Sequence, residues 1–113
     1  MVQHQPRLDA TFAALADPTR RGVLQRLGKS EATITELAEA FEMTLTGMKK
    51  HVALLEEAGL VATEKVGRVR TCRLGRKRLD AESRFIATYH QMLEERLEHL
   101  SKFLESHDEG KKP

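Results

Sequence analysis

Residues 33–59, TITELAEAFEMTLTGMKKHVALLEEAG, decide the fold. Thr33 and Glu36 stand three apart at the head of an apolar run, the spacing of a capping box. In that arrangement each side chain accepts a hydrogen bond from the other residue's backbone N–H. The helix it opens runs to about Phe41 and buries Leu37, Ala38 and Phe41. Glu42-Met43-Thr44 makes a tight turn, and Thr44 caps a further helix with a stripe of Met48, Val52 and Leu55, beside Leu54 and Ala58. Gly59 closes that helix in the left-handed conformation that glycine tolerates. Two short amphipathic helices joined by so brief a turn form a helix-turn-helix, with small Ala38 where the helices cross. The second helix offers Thr46, Gly47, Lys49, Lys50 and His51 on its open face near its N-terminal half, next to the Thr44 cap. Side chains there reach base edges and phosphates in the major groove. The competing reading is a plain helical hairpin in an all-α domain.

Upstream, Leu8, Phe12 and Leu15 repeat at helical spacing and mark a short amphipathic helix. Asp17-Pro18-Thr19 restarts the chain as a second helix, Asp17 capping it and Pro18 losing no needed hydrogen bond in the first turn. Val23, Leu24 and Leu27 face inward, the helix ends near Gly28, and Arg20, Arg21 and Arg26 lie toward solvent.

Downstream, Val61 to Leu74 alternates β-branched residues with charges around Gly67, which reads as a β-hairpin. Its turn is either Val66-Gly67 or Gly67-Arg68, and a one-residue slip exchanges the two faces, so neither face is assigned. Residues 1–78 hold fourteen Lys/Arg against nine Asp/Glu, whereas 79–113 hold five against eight. The excess concentrates in 61–78, where Lys65, Arg68, Arg70, Arg73, Arg76, Lys77 and Arg78 face only Glu64. A local basic stretch beside an acidic helix suits one face meeting a polyanion; a hairpin kept soluble by arginine is the plainer reading. A basic hairpin straight after a helix-turn-helix is the wing of a winged helix. Lys65, Arg68 and Arg70 would then lie along the phosphate backbone or minor groove.

Asp80 to about Leu104 is the longest helical stretch, about 37 Å at 1.5 Å per residue. Phe85, Ile86, Tyr89, Met92, Leu93, Leu97, Leu100, Phe103 and Leu104 make a stripe too wide for so small a domain to cover. A dimer interface is therefore expected from Leu8, Phe12, Phe85, Ile86, Tyr89, Leu93, Leu97 and Leu100, against a terminal helix folded back on its own core. The chain divides into a flexible N-terminus (1–7), a winged helix-turn-helix domain (8–104) ending in a dimerisation helix (80–104), and a disordered tail (105–113). The expected class is mainly α with a small β-hairpin, a winged helix-turn-helix dimerising through terminal helices.

At 113 residues, 40% hydrophobic and 32% charged, the composition suits one soluble helical domain. No apolar run approaches the roughly 20 residues needed to span a bilayer, and the start has no signal-peptide core. With Cys72 as the single cysteine no internal disulfide forms, which fits the cytoplasm. There is no Gly-rich phosphate loop and no nucleophile–base–acid set, so neither an enzyme nor a cofactor is expected.

From Leu8 to Leu104 the chain resembles the ArsR-type (ArsR/SmtB) winged-helix regulators. The resemblance rests on Leu15-Ala16-Asp17-Pro18-Thr19-Arg20-Arg21, Thr35-Glu36-Leu37-Ala38, Lys50-His51-Val52, the run from Leu54 to Val61, and Cys72-Arg73-Leu74. It implies an α-helical dimer with a β-wing, an inverted-repeat operator, and repression relieved by a signal. Two positions depart from the pattern: Lys49 stands where a serine is usual, and Val66-Gly67 stands where the wing tip often has Asp-Gly. A long cation in place of a short hydroxyl adds a phosphate contact or reads guanine, so operator sequence does not carry over from relatives.

Many such relatives sense metals, yet the residues here match neither ligand set of the family. Glu36-Leu37-Ala38-Glu39-Ala40 lacks the paired cysteines, and with His90 as first histidine the remaining ligand positions are Thr88, Ser101 and Leu104. His90/Glu94 and Glu95/His99 sit at i,i+4, a spacing that suits zinc across a dimer but more often surface salt bridges. Cys72 reads as a core cysteine, with a thiol switch open if Arg70 and Arg73 lower its pKa. The expectation is a homodimeric repressor whose partners are double-stranded DNA and its own copy, with no membrane role, no metal site, and an undefined small-molecule or metal effector. A metal- or thiol-responsive sensor of the same fold and a protein-docking module are the alternatives.

Overall fold

Three helices of the N-terminal half follow a residue whose side chain closes their first turn. In the computed structural model, which describes residues 6–111, the order is α1 (Pro6–Leu15), α2 (Pro18–Leu27), β1 (Ala32–Thr33), α3 (Ile34–Ala40), α4 (Leu45–Glu57), β2 (Val61–Val66), β3 (Val69–Leu74) and α5 (Asp80–Lys111). The Asp17 carboxylate accepts from Arg20 N–H at 3.0 Å to cap α2. Thr33 and Glu36 form both arms of the capping box, at 3.0 and 3.1 Å. Thr44 accepts from Gly47 N–H at 3.0 Å to cap α4. The chain is a winged helix-turn-helix, mainly helical with a small antiparallel sheet.

The sheet has three strands, not two. Its order is β1-β3-β2, with Ala32 opposite Cys72 and Thr33 opposite Thr71. β1 escaped sequence analysis because two residues carry no alternation to read. The hairpin pairs Val66 with Val69 across Gly67-Arg68, which settles the turn. Gly67 has φ 63°, and Glu42 alone among described non-glycine residues has positive φ, as a type II′ turn with glycine first requires.

The chain divides into two compact units between Arg78 and Leu79. In the first, Val23 and Leu27 of α2, Ile34, Leu37 and Ala38 of α3, and Met48, Val52 and Leu55 of α4 are buried with Val61 and Cys72 of the sheet. Gly75 N–H donates to the Leu60 carbonyl at 2.8 Å. A Cβ on Gly75 would strike the Gly59 carbonyl oxygen, so the chain leaving the wing passes where only glycine fits.

The second unit is the single helix α5, about 48 Å long at 1.5 Å per residue. It continues past Leu104 to Lys111, through most of the segment expected as a disordered tail. Glu105 to Lys111 contains no proline, and extending a helix gains one hydrogen bond per residue fixed, so the helix propagates once started. Likewise Pro6 and Arg7 begin α1, inside the segment expected to be flexible, and proline suits a first turn. The rest of those two segments, 1–5 and 112–113, lies outside the described residues.

α3 and α4 end in the same motif with different residues. After α4, Leu60 N–H reaches the Leu55 carbonyl and Gly59 N–H the Glu56 carbonyl, both at 2.9 Å, with Gly59 at φ 80°. After α3, Met43 N–H reaches Ala38 at 2.8 Å and Glu42 N–H reaches Glu39 at 3.2 Å, with Glu42 at φ 53°. Both are Schellman closures, and the one after α3 places a side-chain-bearing residue, Glu42, where glycine is usual. A left-handed L-residue costs roughly 1–2 kcal/mol, offset in part by the greater unfolded-state freedom of glycine. Glu42→Gly is therefore expected to stabilise the fold by about 0.5–1 kcal/mol, and Gly59→Ala to destabilise it by about 1–2 kcal/mol. Urea unfolding of the two variants checks this, and a Glu42→Gly protein no more stable than wild type contradicts it.

Candidate nucleic-acid interface

The α1–α2 corner sets the position of α4. The last carbonyls of α1 have no partner within their helix and need donors from elsewhere. Arg20 supplies them, Nε donating to Ala14 at 2.8 Å and Nη2 to Ala13 at 3.0 Å, while Arg21 Nη1 donates to Leu15 at 2.7 Å. Arg26 Nη1 donates to the Ser30 carbonyl at 2.9 Å. The three arginines expected to point at solvent thus hold carbonyls, and Arg20 is half-buried. Arg20 Nη1 also donates to His51 Nδ1 at 3.2 Å, and Asp17 Oδ2 lies 3.9 Å from the same nitrogen. A guanidinium only donates, so the neutral His51 ring carries its proton on Nε2. His51 therefore faces the corner, not the open face where sequence analysis placed it. It comes three residues after Met48 and next to Val52, at the border of the buried stripe.

The rest of the expected α4 set remains on the surface. Thr44, Thr46, Lys49 and Lys50 are exposed and Gly47 is half-buried. A Cβ on Gly47 would come within 3.1 Å of the Thr44 hydroxyl oxygen and 3.2 Å of Met43 Cε, so glycine lets the cap close tightly. The first turn of α4 carries no acidic residue, leaving the positive end of the helix dipole unopposed.

The strand register assigns the two faces of the wing. Val61, Thr63 and Lys65 stand opposite Leu74, Cys72 and Arg70 on one face; Ala62, Glu64 and Val66 stand opposite Arg73, Thr71 and Val69 on the other. Arg73 pairs with Glu64 at 3.5 Å on that second face. Lys65 and Arg70 continue the first face outward, where a groove between α4 and the wing is lined by Lys49, Glu56, Lys65, Arg68 and Arg70 over Ile34, Val52 and Ala53. A second concavity, sharing Lys49, Arg68 and Arg70, extends past Thr33, Thr35 and Leu45. Four cations thus converge along α4 with one carboxylate among them, a focused field of the kind that attracts phosphate. The parts played by Thr33 of β1 and by Glu56 were not read from the sequence; Glu56 stands five residues before Val61, and that spacing does not say that its carboxylate turns toward the cations.

A family model for a helix-turn-helix domain matches residues 15–64. The crystal structure of an ArsR family transcriptional regulator superposes with a TM-score of 0.73 at 42% identity, covering 83% of this chain and 97% of the other. The chain belongs to the ArsR family. An ArsR-like transcriptional regulator from Rhodococcus sp. RHA1 also superposes with a TM-score of 0.73, at 30% identity over 88% of this chain and 92% of that one. The HTH-type transcriptional regulator YuzN of Bacillus subtilis, itself described as uncharacterized, is 38% identical over 69 residues, 55% of this chain and 75% of YuzN. This ArsR-family protein is accordingly a transcriptional regulator with a winged helix-turn-helix DNA-binding domain.

Among the described residues no three His, Cys, Asp or Glu side chains gather closely enough to hold an ion. His90 Nε2 pairs with Glu94 at 3.0 Å, and Glu95 accepts from Gln91 at 3.4 Å. Cys72 is fully buried, and burial pushes its thiol up to about 11, with the Glu56 carboxylate adding to the rise and Arg70 opposing it. The lowered pKa that a thiol switch required is the reverse of what the packing produces; Arg73 lies on the opposite face. No helix among the described residues is long and apolar enough to cross a membrane.

Cys72 is expected to resist a thiol reagent at pH 7.5 in the folded protein and to react at once in denaturant; rapid labelling of the native protein contradicts the buried placement. Asp17 sits below its ordinary pKa, chiefly through the Arg20 backbone N–H, with the Arg20 charge adding to the drop against the cost of desolvation. A lowered carboxylate stabilises the fold above its unfolded value near 4 and loses that contribution as pH falls through the folded value. Thermal melts at pH 7 and near pH 3 should therefore show a smaller acid loss for Asp17→Asn than for wild type; identical losses would remove Asp17 from the acid response.

Proposed function

We propose that this chain is a homodimeric repressor that occupies an inverted-repeat operator. The observation that carries this reading is the groove in which Lys49 of α4 meets Lys65, Arg68 and Arg70 of the wing. Recognition helices of the two subunits enter successive major grooves about 34 Å apart. Thr44, Thr46, Gly47, Lys49 and Lys50 approach base edges and phosphates from the head of α4, and His51 braces that helix against the α1–α2 corner. Lys65, Arg68 and Arg70 hold the backbone beside the groove.

The dimer in this proposal forms through α5. Phe85, Ile86, Tyr89, Leu93, Leu97 and Leu100 are each at least 43% exposed, an apolar stripe of the kind that pairs with a second copy. Leu8 and Phe12 of α1, both half-buried, complete the interface.

Selection of genomic fragments by the purified protein at moderate salt, read by sequencing, tests the proposal. An enriched inverted repeat with half-sites about one helical turn apart is the expected result; enrichment without a motif, or none, contradicts it. On that fragment Lys50→Ala and Arg68→Ala should each weaken binding and lower the slope of log affinity against log salt by about 1, with the dimer intact by light scattering. A variant with unchanged affinity drops out of the contact set.

A further inference from the structure

Among the described residues lining the basic groove, Glu56 is the one carboxylate, and a negative charge there opposes an approaching phosphate. Its hydrogen bonds supply a reason for it. Glu56 Oε2 accepts from the Thr63 hydroxyl at 2.7 Å, and the same hydroxyl oxygen accepts from Arg70 Nη1 at 2.9 Å. A guanidinium only donates and an ionised carboxylate only accepts, so Thr63 has one arrangement available: it accepts from Arg70 and donates to Glu56. The relay spans β3, β2 and α4.

The register shows what the relay does to Arg70. Lys65 stands directly opposite Arg70, and Thr63 stands opposite Cys72, so Arg70 leans diagonally back from Lys65 toward the foot of the wing. Like charges facing across a ladder repel, and Glu56 pulls from the other side. A surface arginine otherwise samples many rotamers and loses that freedom when it grips a ligand. We propose that Glu56 and Thr63 are positioning residues that hold Arg70 at one aim, so that the wing and the recognition helix present a preset pair of contacts to DNA. The consequence for DNA rests on the function proposed above; the positioning itself does not.

The test has two arms on the full-length protein. Without DNA, nitrogen-15 relaxation at Arg70 Nε should show an ordered side chain in wild type and in Thr63→Ser, which keeps the hydroxyl. Arg70 should be mobile in Thr63→Val and Glu56→Ala. Valine suits a strand, so the fold survives to be measured. An Arg70 as mobile in wild type as in Thr63→Val overturns the proposal. With the selected operator fragment, Thr63→Val should weaken binding about three- to tenfold in the wild-type background and not at all in the Arg70→Ala background. Equal losses in both backgrounds overturn it, because a merely structural hydroxyl would act without Arg70. Wild-type protein that binds no DNA strikes the function, while the relaxation arm still decides the positioning.

Discussion

The backbone at Thr33 serves two structures at once. It is the last residue of β1, in register with Thr71 of β3, and it is the N-cap of α3, with its hydroxyl and N–H both engaged by Glu36. No linker separates sheet from helix, so the direction in which α3 leaves is set by the strand that precedes it. The Schellman closure at Glu42 then sets α4 against α3, and the one at Gly59 returns the chain into β2. Each step leaves little freedom. The meeting of Lys49 with the wing arginines is the end of that sequence of short-range constraints, with the core apolar stripes supplying the stabilisation.

Charge in this molecule divides by task. Arg20 and Arg21 hold the end of α1, Arg73 pairs across the outer face of the wing, and Lys77 donates to Thr11 and to the Ala58 carbonyl at the end of α4. These cations contribute to the basic balance of residues 1–78, yet their hydrogen-bonding groups are engaged within the protein. Lys49, Lys65, Arg68 and Arg70 are the ones gathered in the groove. The Asp-Pro-Thr-Arg-Arg signature that helps to mark the family is thus a folding device, a corner in which a cap and two arginines satisfy both helix ends that meet there.

Features governed by neighbours in the chain were legible before the structure. The capping box at Thr33, the caps at Asp17 and Thr44, the glycine after α4 and the hairpin between Val61 and Leu74 depend on spacing alone. Where the outcome depends on a distant partner, the reading failed or stopped. Arg20 and His51 are 31 positions apart, and nothing local says that one will turn inward to meet the other. The faces of the wing waited on the turn, since a single residue of register exchanges them. The pKa of Cys72 depended on whether burial or the adjacent arginine dominated, and burial did. At the far end of α5 a polar composition suggests disorder, whereas the helix runs on to Lys111, because an established helix extends through such residues at little cost.

The tight wing turn has a consequence for how such a protein changes over time. With Gly67-Arg68 closing a two-residue loop, each strand of the hairpin is paired to its tip. Inserting one residue in a strand would rotate everything beyond it to the opposite face and carry Lys65 or Arg70 away from the groove. Matched insertion of two in each strand would keep the faces and extend the reach by about 7 Å, the rise of two strand residues. The wing is a ruler graduated in pairs of residues: only steps of two in each strand lengthen it while keeping Lys65 and Arg70 on the groove face without a bulge.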